Sequence, residues 1–77
     1  MSRMDKKTLA KLREEVLNKF AVYIKAEQAF ADEQVDSGRI DQYYFDKLKT
    51  AAYAWKDAEA EWQMALVEFA YQNKEDE

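Results

Sequence analysis

Apolar residues recur every seven positions in two separate stretches of the chain. Around each line, further apolar residues follow at intervals of three or four, which is the spacing of one face of an α-helix. The second line carries both tryptophans and is the richest apolar stretch of the sequence. The lines are Leu9, Val16, Tyr23 and Phe30, and Leu48, Trp55, Trp62 and Phe69. This pattern predicts two long amphipathic helices.

A single break separates the two helices. Gly38 is the chain's only glycine and there is no proline, so the first helix should end where glycine can adopt a left-handed backbone. Asp41 is placed to cap the second helix, and Ile40 and Phe45 occupy the two positions of a hydrophobic staple. The sequence therefore predicts one turn between two helices.

The first helix can begin after either Ser2 or Asp5, since both side chains are good N-caps. We predict a single domain over residues 1–77, with a first helix over about 3–36 and a turn over 37–41. A second helix should cover about 42–73, and residues 74–77 should form a frayed acidic tail.

The two lines have the relation expected of an antiparallel hairpin. Facing residues in such a hairpin have numbers that add to a constant, and the two lines meet this condition throughout. The predicted seam pairs Leu9 with Phe69, Val16 with Trp62, Tyr23 with Trp55, and Phe30 with Leu48. An alanine line at Ala51, Ala58 and Ala65 leaves room for the first helix to approach. The fold class predicted is an all-α, coiled-coil-like hairpin of two antiparallel helices.

The charge distribution agrees with an antiparallel arrangement. Residues 1–13 are mostly basic and residues 57–77 mostly acidic, and the hairpin lays these segments side by side. We interpret the basic cluster as part of this internal electrostatic match, so direct nucleic-acid binding is not expected. On the same argument Lys19 and Glu59 are candidates for an ion pair between the helices.

Each helix has a second apolar line that the seam does not use. Its members are Leu17, Ile24 and Ala31 in the first helix and Tyr53, Ala60, Met64, Val67 and Tyr71 in the second. We expect both lines on the same side of the hairpin, where they would form one face for a partner or a second copy. Two hairpins joined through this face would make a four-helix bundle. The alternative is a wider seam with scattered exposed apolar residues.

Composition narrows the class of protein. Apolar residues make up 48% of the chain and aromatic residues 14%, which is enough to fold. The net charge of −4 argues against general affinity for nucleic acid or anionic membranes. We expect no membrane association, since no apolar run is long enough to span a bilayer and no secretory signal is evident. With no cysteine, the chain suits a reducing cytoplasm.

The residues needed for common catalytic chemistry are missing. With neither histidine nor cysteine, the usual bases, thiol nucleophiles and zinc sites are excluded. The turn resembles a calcium loop only in part, because Val35 and Tyr44 occupy two positions that require oxygen ligands. Glu27 and Glu59 lie too far apart to act together, and Glu27 is expected either to accept a hydrogen bond from the Trp55 indole or to lie at the margin of the seam. We predict no cofactor, no metal and no enzyme activity.

Two functions remain open at this stage. The first is a non-enzymatic protein interaction module, such as a small adaptor, a chaperone-like protein or an assembly subunit, that acts through its apolar face as a homodimer or with another protein. The alternative is a small acidic inhibitor, of the kind that mobile elements encode, that blocks a basic surface of a nucleic-acid-processing protein. Asp32, Glu33, Asp36 and the C-terminal acids would form its binding surface.

Overall fold

The computed structural model describes residues 4–76 and contains two α-helices, α1 over Lys6–Ser37 and α2 over Gln42–Asp76. The helices run antiparallel and pack along their length, giving a rod of 59 × 18 × 14 Å. No strand is present in the described residues. The predicted all-α hairpin of two packed helices is confirmed, and neither helix is long and apolar enough to cross a membrane within this described part.

Helix α1 begins after Asp5, which is one of the two predicted starts, while Ser2 lies outside the described residues. The Asp5 Oδ1 atom accepts a hydrogen bond of 2.7 Å from the backbone N–H of Thr8. This bond satisfies an N–H group that the helix leaves unpaired. The same contact with Thr8 lowers the pKa of Asp5 below its ordinary value of 3.8, because the hydrogen bond favours the charged carboxylate.

The turn uses the caps that the sequence indicates. Gly38 has a φ of 72° and donates its backbone N–H to the Gln34 carbonyl oxygen at 2.9 Å, which ends α1. Asp41 Oδ1 then accepts from the backbone N–H of Tyr43 at 2.9 Å and caps α2. The predicted staple takes another form, since Ile40 is exposed and the ring of Phe45 lies near α1.

The Gln72 side chain joins the two ends of the hairpin within the described residues. The Gln72 amide donates from Nε2 to the Met4 carbonyl oxygen and accepts from the Met4 backbone N–H, both at 3.1 Å. Helix α2 continues through Asp76, past the predicted end near residue 73. Lys74 lies in its last turn, where a cation is favoured by the helix dipole. Of the tail predicted to fray, residues 74–76 are helical, and residue 77 lies outside the described range.

Small side chains form the buried part of the seam. Among the described residues, Val16 and the alanine line Ala51, Ala58 and Ala65 are 9% exposed or less. The large seam residues surround them and are half-buried. Trp55 illustrates the arrangement, because its ring stacks on Tyr23 at 5.2 Å and packs against Phe20 at 4.9 Å.

The predicted ion pair between the helices is replaced by one within α1. The Lys19 Nζ atom lies 3.6 Å from a carboxylate oxygen of Glu15, one turn earlier on the same helix, instead of pairing with Glu59. A pair four residues apart needs no ordering of a second helix.

We expect Trp55→Ala to lower the free energy of unfolding by about 3 kcal/mol, because it removes the ring that joins Phe20 and Tyr23 across the seam. Urea unfolding followed by circular dichroism measures the loss. Tyr53→Ala is the matched control, because Tyr53 is exposed two residues away and its truncation should change stability by under about 0.5 kcal/mol. Equal unfolding midpoints for wild type and Trp55→Ala would contradict the seam described above.

Gly38→Ala should cost about 1 kcal/mol of stability, since an alanine must adopt the left-handed backbone at φ 72°. No atom lies within 4 Å of an added Cβ, so the cost would be conformational, not steric. Gly38→Asn should lose less, because asparagine tolerates this conformation better. The same unfolding measurement ranks the three proteins, and an alanine variant as stable as wild type would refute the strained cap.

Candidate interaction surface

The hairpin has two flanks, one on each side of the seam, and one of them is rich in large apolar side chains. We name it the ring face because aromatic rings mark it: Phe20 packs on Trp55, the Phe45 and Phe30 rings are 6.1 Å apart, and the Arg13 guanidinium lies 4.6 Å from the Trp62 ring. The other members of this face are assigned to it by helical periodicity. The ring face comprises Arg13, Leu17, Phe20, Ile24, Glu27 and Ala31 of α1, and Phe45, Ala52, Glu59 and Leu66 of α2.

The opposite flank is the groove face, which has small residues at its floor, charged residues at its rim and four exposed apolar or aromatic side chains, Val22, Tyr43, Met64 and Val67. Near the turn it holds a depression of about 920 Å³. The lining includes Val22, Ala26, Ala29 and Ala54 with Lys19, Lys25 and Lys47 around them. Toward the chain ends a second depression on this face is lined by Thr8, Leu12, Met64 and Val67 together with Glu61 and Glu68.

The three predicted interface residues of α1 lie on the ring face. Leu17 and Ile24 each follow a seam residue by one position, which rotates them about 100° and places them next to Phe20. Both are exposed, as is Ala31 one heptad further on. None of the three lines the groove.

The five predicted interface residues of α2 lie elsewhere, so the two apolar lines do not form one face. Met64 is 70% exposed and borders the groove face with Val67. Tyr53, Ala60 and Tyr71 are also exposed, on the side of α2 turned away from α1. The physical reason is rotation: Met64 comes two residues after Trp62, and Tyr53 two before Trp55. Two residues turn a helix by about 200°, twice the rotation that we expected.

The ring face also contains three large residues that were not predicted to lie on it. Phe45 was predicted as part of a staple, whereas Phe20 and Leu66 were not predicted to lie on any interaction surface. All three are 38–39% exposed. A usable signal exists in α2, where Phe45, Ala52, Glu59 and Leu66 are seven residues apart, but glutamate interrupts the apolar character of that line.

Two charged side chains on the ring face are held in place by aromatic neighbours. Arg13 lies over the face of Trp62, a favourable cation–π arrangement. The Glu27 carboxylate accepts a hydrogen bond of 3.0 Å from the Tyr23 hydroxyl, where we had expected the Trp55 indole as donor. That bond raises the pKa of Tyr23 above its ordinary value of 10.0, because it stabilises the protonated phenol next to a negative charge.

The structure also places the two tryptophans and the acidic residues of the inhibitor hypothesis, and it shows whether carboxylates converge on a metal site. Both tryptophans are half-buried in the seam, and Arg13 covers part of the Trp62 ring. Asp32 and Asp36 are exposed on the last turns of α1, and Glu33 is half-buried between them. Within residues 4–76, no group of three or more acidic side chains is arranged to hold a metal ion.

Comparison of the chain with protein-family models, curated proteins and solved structures gave no match.

Glu27→Gln should return the pKa of Tyr23 toward 10.0, because the amide carries no charge to stabilise the phenol proton. Since the Tyr23 pKa is raised in the folded state, the contribution of this bond is present below pH 10 and is lost as the pH rises through the folded-state pKa. An NMR titration of the tyrosine rings measures the shift. Glu59→Gln is the control, because it removes a carboxylate from the other helix. Identical Tyr23 titrations in Glu27→Gln and wild type would contradict the assignment.

Proposed function

We propose that this protein is a non-enzymatic protein interaction module that binds another protein surface through its ring face. The observation that carries the proposal is the exposure of five large apolar side chains on one flank. Leu17, Phe20, Ile24, Phe45 and Leu66 are each 38–52% exposed there. Large apolar side chains exposed together on one side of a small protein are typical of an interaction site.

The physical basis is the shortage of internal surface in a two-helix hairpin. The helices have one interface with each other, and four small residues are buried in it among those described. Large side chains on the flank can leave water only against another molecule, and each gains roughly 25 cal/mol for every Å² of apolar area covered. Arg13 and Glu27 lie in reach of the same surface and would give such contacts a preferred orientation.

The biological setting that fits this proposal is a small adaptor, a chaperone-like protein or an assembly subunit in the cytoplasm. A cysteine-free rod of two helices suits a role in which one face docks and the rest stays solvated. The rod length of 59 Å allows contact with a long partner helix along much of the ring face.

Two lysine substitutions test the ring face with matched chemistry. Ile24→Lys places a charge on this face, whereas Met64→Lys makes the same kind of change on the groove face. Each variant and the wild type would be immobilised as bait and exposed to a lysate, and the retained proteins quantified by mass spectrometry. We expect one or more proteins to be retained by wild type and Met64→Lys and to be reduced at least tenfold with Ile24→Lys, since a buried unpaired charge is costly.

Repeating the capture at high salt separates this proposal from an electrostatic one. Contacts made by apolar side chains should persist, whereas binding through Asp32, Asp36 and neighbouring acids to a basic surface should be lost. Retention that is lost in salt and equal for both lysine variants would overturn the ring-face proposal and favour the acidic inhibitor. Circular dichroism of each bait confirms that the variants remain helical.

A further inference from the structure

Building on the proposed function, we propose that the ring face binds a second copy of this chain. The two hairpins would be related by a two-fold axis that passes beside Phe20, so that each α1 runs antiparallel to the other α1. The product is a four-helix bundle with ring faces inside and groove faces outside. Three features of the ring face support this occupant.

The first feature is an apolar pattern on α1 that is nearly the same in both directions. Ala10, Leu17, Ile24 and Ala31 are seven residues apart, with small residues at the ends and large ones in the middle. When a second α1 runs antiparallel beside the first, Leu17 faces Ile24 of the other copy. Ala10 likewise faces Ala31, so large residues meet large residues and the helices can approach evenly.

The second feature is the charge pattern around the same centre. Arg13 lies seven residues before Phe20 and Glu27 seven residues after it. Antiparallel pairing therefore brings Arg13 of each copy to the level of Glu27 of the other. Both side chains are already fixed on the ring face, Arg13 by Trp62 and Glu27 by the Tyr23 hydroxyl. The dimer would gain two symmetric ion pairs from groups that need little reordering.

The third feature is that α2 has the same centre of symmetry. Phe45 and Leu66 lie at opposite ends of its ring-face line, and Ala52 and Glu59 lie between them. The midpoint of this line falls at about Trp55, whose ring packs against Phe20 at 4.9 Å. The midpoints of the two helices thus lie at one level, as a single two-fold axis requires. Phe45 then faces Leu66 of the second copy.

The ring face extends along much of the rod. From Arg13 to Ala31 it extends about 27 Å along the helix at 1.5 Å per residue, and the rod is 18 Å wide. This outline is smaller than the roughly 800 Å² per partner of a standard interface, so the dimer would lie at the small end of the size range.

Reversal of the two charges tests the arrangement. Arg13→Glu alone and Glu27→Arg alone each place like charges together twice in a homodimer, so each should raise the dissociation constant about tenfold or more. An equimolar mixture of the two variants restores opposite charges at both contacts. Sedimentation equilibrium at low salt should show wild type as a dimer, each variant weakened, and the mixture recovered as a heterodimer.

The mixture also controls for effects within one chain. Arg13→Glu loses its contact with Trp62 and can lose stability, but that loss is equal alone and in the mixture, so only pairing between copies explains recovery. Lys25→Glu makes the same change of net charge on the groove face and should leave the dissociation constant within about twofold of wild type.

The possible outcomes distinguish the dimer proposal from the proposal that the ring face docks another protein. A wild type that stays monomeric at high concentration overturns the dimer, while loss of another protein from Ile24→Lys bait would still support the ring face as a docking site. A wild-type dimer that Ile24→Lys does not weaken overturns the ring-face dimer, and the capture experiment alone then decides the docking proposal. A dimer that Ile24→Lys weakens, with no recovery in the mixture, overturns the antiparallel arrangement.

Discussion

The close approach of the two helices along the alanine line is the contact on which the rest of the structure depends. Ala51, Ala58 and Ala65 have no bulk to hold α1 away, so the backbones can pack closely. The large rings then have no room between the helices and lie beside the contact, as Trp55 does between Phe20 and Tyr23. The small alanines therefore explain both features. The helices pack closely, and the aromatic rings that do not fit between them are exposed on the flank.

Sequence reasoning succeeded where the physics is local or where a long pattern is repeated. The cap at Gly38 follows from backbone freedom and the Asp41 cap from a single side chain, and both occur as expected. The stacked pair of Tyr23 and Trp55 lies in the predicted register because two independent seven-residue lines had to agree. These features account for the helices, the turn and the antiparallel pairing.

The orientation of the second apolar line on α2 could not be obtained in the same way. A rotation misjudged by one residue moves a side chain by 100°, so Met64 was assigned to the wrong flank while Phe45 and Leu66 were missed. Side-chain partners are equally sensitive. Glu27 had two possible donors nearby, and only coordinates distinguish the Tyr23 hydroxyl from the Trp55 indole.

The contact between Gln72 and Met4 affects how the hairpin opens when it unfolds. A hairpin closed only by its turn would separate progressively from the free end, and its amide protons there would exchange with solvent early. The two hydrogen bonds of the Gln72 amide close that end as well. Since the rod is fastened at both extremities, opening at either end must break specific contacts first, which favours unfolding as one cooperative unit over stepwise unzipping.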